Sequence, residues 1–251
     1  MQQPTPAPDP YRRRRAAGAA SRQETRRRLL AAADELFRRD GYGATTVTAI
    51  AALADVSLQT LYLAWGSKRA LLRAATDAAA AASSAPPQPQ EWRSSLRAEL
   101  TGEAGTDPTA AEYLAAVSRL HARVAERTAP YWRMHRQGAA TDPEIAADWE
   151  AIQAGRRQTL TEVTQSLPRR GRRPDLSDDD ITDTLWALTC LEVYDILTEQ
   201  GRRSLDDFQS WLDRTLVAAL CEEPAPSQEE PAPSQEAPAP TGRKRRRDAG
   251  A

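Results

Sequence analysis

The chain has 251 residues, 34 of them Lys or Arg and 35 Asp or Glu, so its formal net charge is −1 and its length admits one or two domains with a sizeable core. Its only two cysteines, Cys190 and Cys221, have no companion His or Cys at metal-ligand spacing, so no metal site and no cofactor is expected. No 18-residue apolar run and no apolar segment behind the N-terminal charges occurs, so a membrane partner and secretion are excluded and a soluble, cytoplasmic protein is expected.

The near-neutral total hides an asymmetry. Residues 11 to 73 hold 13 basic against 5 acidic residues, a net of +8, whereas residues 74 to 221 hold 16 against 23, a net of −7. The N-terminal part is therefore the half suited to a polyanion, through release of condensed counterions. Taken in chain order, residues 1–20 read as a disordered basic arm with prolines at 4, 6, 8 and 10 and the cluster Arg12 to Arg15. Ser21-Arg22-Gln23-Glu24 is a capping-box pattern that opens a first helix. Its apolar positions Leu29, Ala33, Leu36 and Phe37 are spaced to pack inward, while Arg22, Arg26, Arg27 and Arg28 form a cationic stripe; Gly41 ends it.

Two short helices joined by a tight turn follow. Thr46 caps the first, with Val47, Ile50, Ala51 and Ala54 at the spacing that buries one face, and Asp55 occupies the turn. Ser57 caps the second, which puts Leu58, Gln59, Thr60 and Tyr62 at its front and turns Val56 and Leu61 inward. A helix opening with exposed polar residues suits a major groove: Gln59 has the paired donor and acceptor that match adenine, and Thr60 a methyl and a hydroxyl. Leu58 is left between a thymine-methyl contact and simple exposure. Tyr62 and Ser57 are placed on phosphates, with core packing the alternative for Tyr62. Ser67 caps a fourth helix, and Lys68 after it stands where an ammonium and free helix amides hold one phosphate together.

Residues 21 to 73 resemble the DNA-binding domain of TetR-family (tetracycline-repressor-like) transcriptional regulators. The likeness is carried by Leu29-Leu30, Gly41-Tyr42, Thr45-Thr46-Val47, Ile50-Ala51, Val56-Ser57, Thr60-Leu61-Tyr62, Ser67-Lys68 and Leu71-Leu72. Five positions depart from it. Asp55 stands for the usual turn glycine, Trp65 for a Phe, Ala64 for a His or Tyr that touches DNA, and Leu58-Gln59 for a small residue and Gly. The resemblance implies an all-α protein: a three-helix helix-turn-helix domain at 21–66, a connecting helix at 67–85, and a helical ligand-binding and dimerisation domain at 90–221. It implies the same DNA contacts, with Thr46 and Lys68 as backbone anchors and Arg22 on the flanking stripe.

In the second half, helices are predicted from Glu91 to about Glu103, from the Asp107-Pro108 cap through Val124, over a short segment after Thr128, and from the Asp142-Pro143 cap to Pro168. Residues 169 to 176 form a basic loop. Two long apolar helices close the domain, opened by Ser177 with Asp178, Asp179 and Asp180 and by Ser204 with Asp207. So apolar a pair predicts a homodimer through residues 178–220, with burial within one chain as the alternative. Cys190 and Cys221 fall in these stretches and read either as small buried hydrophobes or as a redox switch. The resemblance further implies an apolar effector cavity, for which Tyr113, His121, Trp132, His135, Trp149 and Trp186 are the candidates, each alternatively ordinary core. Residues 222–251 duplicate Glu-Glu-Pro-Ala-Pro-Ser-Gln and end in a basic cluster, a composition that predicts disorder.

The expected function is a sequence-specific regulator, a ligand-responsive repressor on an inverted-repeat operator. The rival readings are an all-helical small-molecule-binding protein or enzyme with an incidental helix-turn-helix, and a non-specific DNA-coating protein. No catalytic residues are assigned, because no nucleophile is spaced beside a base.

Overall fold

The order of capping residues along the chain sets where its helices start. The computed structural model describes residues 10–81, 91–100 and 107–222, and among these every element is helical apart from one isolated bridge between Arg172 and Cys221. The elements are α1 (Pro10–Ala44), α2 (Val47–Leu53), α3 (Leu58–Trp65), α4 (Lys68–Ala80), α5 (Glu91–Leu100), α6 (Ala110–Ala139), α7 (Pro143–Ser166), α8 (Asp178–Leu188), α9 (Leu191–Asp195), a π-helical turn (Ile196–Gln200) and α10 (Leu205–Leu220). Thr46, Ser57, Ser67, Asp142, Ser177 and Ser204 each accept a backbone amide at a helix start, as their positions predict.

Four expectations are corrected. α1 begins at Pro10, so Ser21 and Glu24 lie inside a helix and the arm foreseen for residues 1–20 is helical from residue 10; the Arg- and Ala-rich stretch before Ser21 has high helix propensity and Pro10 suits a first turn. α6 is capped by Thr109 in a reciprocal box with Glu112, not by Asp107. It also runs unbroken through Pro130, because its buried face continues across that point in Ala125, Thr128, Ala129 and Trp132; the lost amide is a local cost. The foreseen long helix after Ser177 stops at Leu188 and restarts at Leu191, with Thr189 bonding back to Leu185. The expectations for residues 1–9, for the end of the connecting helix at 82–85 and for the repeated tail from 223 onward lie outside the described residues.

Two cores result. Leu29, Ala33, Leu36, Phe37, Ile50, Leu61, Leu71 and Leu72 form the N-terminal one, joined by Tyr131 and Met134 from α6. The second gathers Leu114, Ile181, Leu185, Phe208, Leu212, Leu216 and Leu220. α8 and α10 therefore spend their inner faces within the chain, and Cys221 sits in that core as a free thiol whose pKa burial raises.

The cores meet along α4. Arg69 grips Asp148 of α7 with both ends of its guanidinium, Nε to Oδ2 at 2.6 Å and Nη2 to Oδ1 at 2.8 Å, and reaches Glu144 at 3.1 Å. Arg73 stands 3.6 Å from the same aspartate. Thr76 Oγ1 and His135 Nε2 are 3.0 Å apart, and Arg127 donates to the Ala79 carbonyl at 3.0 Å. On α1, Asp34 accepts from the Tyr131 hydroxyl, which also accepts from Arg38 at 2.9 Å.

Asp148 is only 5% exposed, and its hydrogen bonds to Arg69 hold its carboxyl below the ordinary carboxylate range. Its stabilising contribution is thus present above the ordinary value and lost as pH falls through the lowered one. Asp148→Asn should cost about 2 to 4 kcal/mol in urea unfolding at pH 7, because Arg69 loses its buried, two-pronged partner and keeps only the exposed Glu144. Glu144→Gln, at the exposed end of the network, should cost no more than about 1 kcal/mol.

Candidate nucleic-acid interface

α2 and α3 are bent by 102° across the turn, within the range of a helix-turn-helix. Asp55 sits at φ 51° in that turn, a backbone that Asp tolerates where a β-branched residue would not, so the replacement of glycine foreseen in the sequence is accommodated. Arg28 completes the turn by donating to the carbonyls of Ala54 and Asp55, the latter at 3.1 Å, and its guanidinium lies 3.6 Å from the Asp55 carboxylate. The end of α2 is thus closed by a cation reaching over from α1. Gly41 ends the straight run of α1 at φ 82°, as its lack of a Cβ allows.

α3 points its apolar side inward through Leu61, which is fully buried, and presents the rest. Gln59 and Ser57 are exposed, Leu58 is 39% exposed and Tyr62 48%. Tyr62 is therefore a surface residue rather than core. Ser57 Oγ accepts from the Thr60 amide at 3.1 Å and lies 2.8 Å from the Thr60 hydroxyl, so these two side chains hold one another at the head of the helix. Thr46 is exposed and accepts from the Ala49 amide at 3.1 Å. Leu63, at 82% exposure, was not singled out in the sequence, where it reads as one more apolar residue; only its angular position on the helix, clear of Leu61, marks it as outward. Of the large exposed hydrophobic side chains of the described residues, Leu53, Leu58, Tyr62 and Leu63 all lie on α2 and α3.

The cationic stripe divides by role. Arg26 lies 3.9 Å over the Trp65 ring and donates to the Ala64 carbonyl, while Trp65 Nε1 donates back to the Arg26 carbonyl at 3.3 Å. Arg27 pairs with Glu24, and Arg28 closes the turn. Arg22 is exposed, with no hydrogen-bond or ion-pair partner among the described residues. Lys68 does more than its position after Ser67 indicates: its ammonium donates to the carbonyls of Tyr42 and Thr45, each at 2.8 Å, and sits 4.1 Å over the Tyr42 ring. One of its three donors is left for another acceptor. Burial lowers its pKa from the ordinary lysine value.

A cavity of about 560 Å³ opens between α4, α5, α6 and α7, with Leu96, Val117, Val124 and Ile152 among its apolar walls. Of the six candidates, His121 and Trp132 line it. The other four are corrected. His135 lines a smaller neighbouring cavity with Asp148 at the domain junction; Tyr113 donates to the Val163 carbonyl at 3.2 Å, and burial pushes its pKa up to about 12; Trp149 packs on the core; Trp186 stacks on Arg156 and Arg157. Trp92 and Arg156 belong to the cavity and were missed, since the helical period of α7 gives no sign that an arginine turns inward.

These parts define a class: a helix-turn-helix domain with its second helix outward, set on a helical body that contains a cavity. The family model of bacterial regulatory proteins, tetR family, matches residues 29–75, so the helix-turn-helix domain is of the tetR-family type. No curated protein matches it. Solved structures show the fold across the whole body. A TetR-family transcriptional regulator of Mesorhizobium loti, described as putative, is 19% identical, with 80% of this chain and 98% of that one covered at a TM-score of 0.58. NalD of Pseudomonas aeruginosa, the secondary repressor of the MexAB-OprM multidrug efflux pump, gives 19%, 80%, 98% and 0.58. A similarly described regulator from Rhodococcus sp. gives 18%, 79%, 99% and 0.56. No single helix among the described residues is long and apolar enough to cross a membrane.

Two outcomes follow. Lys68→Met removes two charge-assisted bonds that tie α4 to the segment before α2, and should lower stability by roughly 2 kcal/mol in denaturant titration, whatever it does to DNA. Burial holds His121 at a pKa of about 3 and also lowers His135, so both rings are neutral in the fold while the unfolded chain protonates them near 6.5. A depressed histidine contributes stability that is present above 6.5 and falls away as the pH drops toward the folded value, by up to about 1.4 kcal/mol per pH unit and ring. Unfolding midpoints should decline from pH 7 to pH 5, and His121→Phe should make that decline shallower.

Proposed function

We propose that the chain is a ligand-responsive transcriptional repressor that binds an inverted-repeat operator as a homodimer. The observation that carries the reading is the outward face of α3: Leu58, Gln59, Tyr62 and Leu63 stand exposed on the half of the chain with a net charge of +8, although apolar side chains elsewhere are mostly sequestered. In this reading Gln59 and Thr60 meet base edges, with Leu58 and Leu63 against thymine methyl groups. Ser57, Tyr62, Thr46, Arg22 and the remaining donor of Lys68 hold phosphates and set the register.

Dimerisation is assigned to residues 178–220. Its support is the apolar surface left on α8, on the segment through Ile196, which is 52% exposed, and on the half-buried Trp186, Trp211 and Val217. A two-fold dimer sets its recognition helices about 34 to 36 Å apart, one turn of DNA, which is why an inverted repeat is the expected target. Repression is drawn from NalD, whose name makes it a repressor. The effector site is assigned to the cavity lined by His121, Trp132 and Arg156, whose size lies in the range of small-molecule sites. Its route to the DNA-binding domain is α7, which carries both Arg156 of the cavity wall and Asp148 of the Arg69 pair.

The test is a mobility-shift titration of the full chain against DNA from upstream of its own gene and against random duplex, at stated salt. A repressor shows a specificity ratio of about 10³ or more. Gln59→Ala should lose about 1 to 3 kcal/mol on the specific site and little on random duplex, whereas Arg22→Ala should weaken both alike and lower the salt slope by about one. Equal losses on both duplexes for Gln59→Ala would refute the base-reading role of α3.

A further inference from the structure

Arginines of the regulatory body mostly stand beside carboxylates: Arg133 with Asp195, Arg136 with Glu192, Arg157 with Asp183, Arg172 with Asp178. Arg156 does not. It lines the cavity with its guanidinium between two indoles, 5.0 Å from the Trp132 ring and 4.8 Å from the Trp186 ring. Its protein partners are all neutral: Nη1 donates to Gln153 Oε1 at 3.2 Å, and Nη2 to the Thr189 carbonyl at 2.8 Å and hydroxyl at 3.4 Å. Two nitrogens are thus partly committed and the remaining N–H groups of the fork have no acceptor among the described residues. A guanidinium is always charged; among the described residues no carboxylate stands within ion-pair distance of this one, and the charge of Glu192, which is bonded to Arg136 at 2.8 Å, acts on it from farther off.

A second group in the same wall is also incomplete. His121 Nε2 is buried with no hydrogen-bond partner among the described residues, and the ring is held neutral by its surroundings, including the charge of Arg156. Arg127 lines the cavity as well and, among the described residues, is bonded only to the Ala79 carbonyl. Of the acidic residues there, Glu162 is spent on Arg93 at 3.0 Å and Gln158 at 3.2 Å, and Asp77, whose pKa burial raises, lies near the opposing charge of Arg73. Neutral polar side chains, Thr76, Ser95, Gln158, Thr159 and Thr189, also reach the wall, and the rest of it is largely aliphatic or aromatic, including Trp92, Leu96, Val117 and Val124.

We infer that the cavity binds an apolar carboxylic acid, its carboxylate seated on the guanidinium of Arg156 within reach of His121 and its hydrocarbon body among the walls of α5, α6 and α7. This rests on the assignment of the cavity as the effector site and names the chemistry that site selects. A carboxylate supplies the counterion that Arg156 lacks in a geometry its planar fork matches, and an apolar body displaces water from the remaining surface.

The probes are decanoate and 2-naphthoate, each against its own amide, with decylamine as the cationic control. All are titrated into the full-length protein and followed by tryptophan fluorescence, since Trp92 and Trp132 stand in the wall. At least one acid should bind tenfold or more tightly than its amide, decylamine should not compete, and Arg156→Gln should abolish the preference while Arg156→Lys keeps part of it. An amide that binds as well as its acid, tighter binding of decylamine, or no binding by any probe overturns the inference. Arg156 also caps the end of α8, so the melting temperature of each variant is recorded; where Arg156→Gln does not fold, the wild-type comparison of acid with amide decides alone. The mobility shift separates this inference from the reading beneath it: an acid that binds with the stated preference yet leaves the DNA complex unchanged removes the effector role and leaves the anion site standing. An amide that releases DNA as well as the acid does the reverse.

Discussion

The grip of Arg69 on Asp148 organises the relation between the two halves of this molecule. One partner stands in the first turn of α4, immediately behind the helix-turn-helix, and the other on α7, in the body that surrounds the cavity. Both bonds of the fork are made and the carboxylate is buried, so the pair is directional: a small rotation of α4 against α7 breaks one of the two bonds. Beside it lie softer contacts, the Thr76–His135 hydrogen bond and the intrusion of Tyr131 and Met134 into the N-terminal core. The domains share side chains, so their mutual orientation is a property of packing and not of a linker.

The helix-turn-helix achieves its turn by an unusual division of labour. A glycine would relieve the turn by conformational freedom alone; here Asp55 takes the positive φ and Arg28, arriving from α1, binds the carbonyls that the end of α2 exposes. Arg26 and Lys68 play similar parts at Ala64 and at Tyr42 and Thr45. Much of the positive charge that marks this half of the chain is therefore also structural. The same cations that raise its potential toward a polyanion close its backbone.

The capping residues were the most legible part of the sequence, because a Ser, Thr or Asp before an apolar period has one strong structural use. Ser57 and Thr46 placed α3 and α2, and with them the outward face of the recognition helix. What stayed hidden depended on partners distant in sequence. Thr109 and Glu112 do spell a capping box, but Asp107 before Pro108 offers a competing start two residues earlier, and the run of α6 past Pro130 depends on residues such as Tyr131 and Met134 packing into a core built from distant helices. The cavity was half legible: aromatic residues and histidines were the natural candidates, and two of the six reach it. Arg156 was invisible there, since a charge on a helical period reads as surface until the neighbouring indoles that enclose it are known.

The end of the body is pinned around Cys221, a free thiol whose pKa burial raises. The bridge between Arg172 and Cys221, with Arg173 donating to Leu220 at 3.0 Å and Glu222 to Gly171 at 3.0 Å, clamps the end of α10 onto the basic loop before α8. Residues 220 to 222 are therefore held by backbone bonds to a loop that carries Arg169, Arg170, Arg172 and Arg173, so the last turn of α10 and the cationic loop move as one piece.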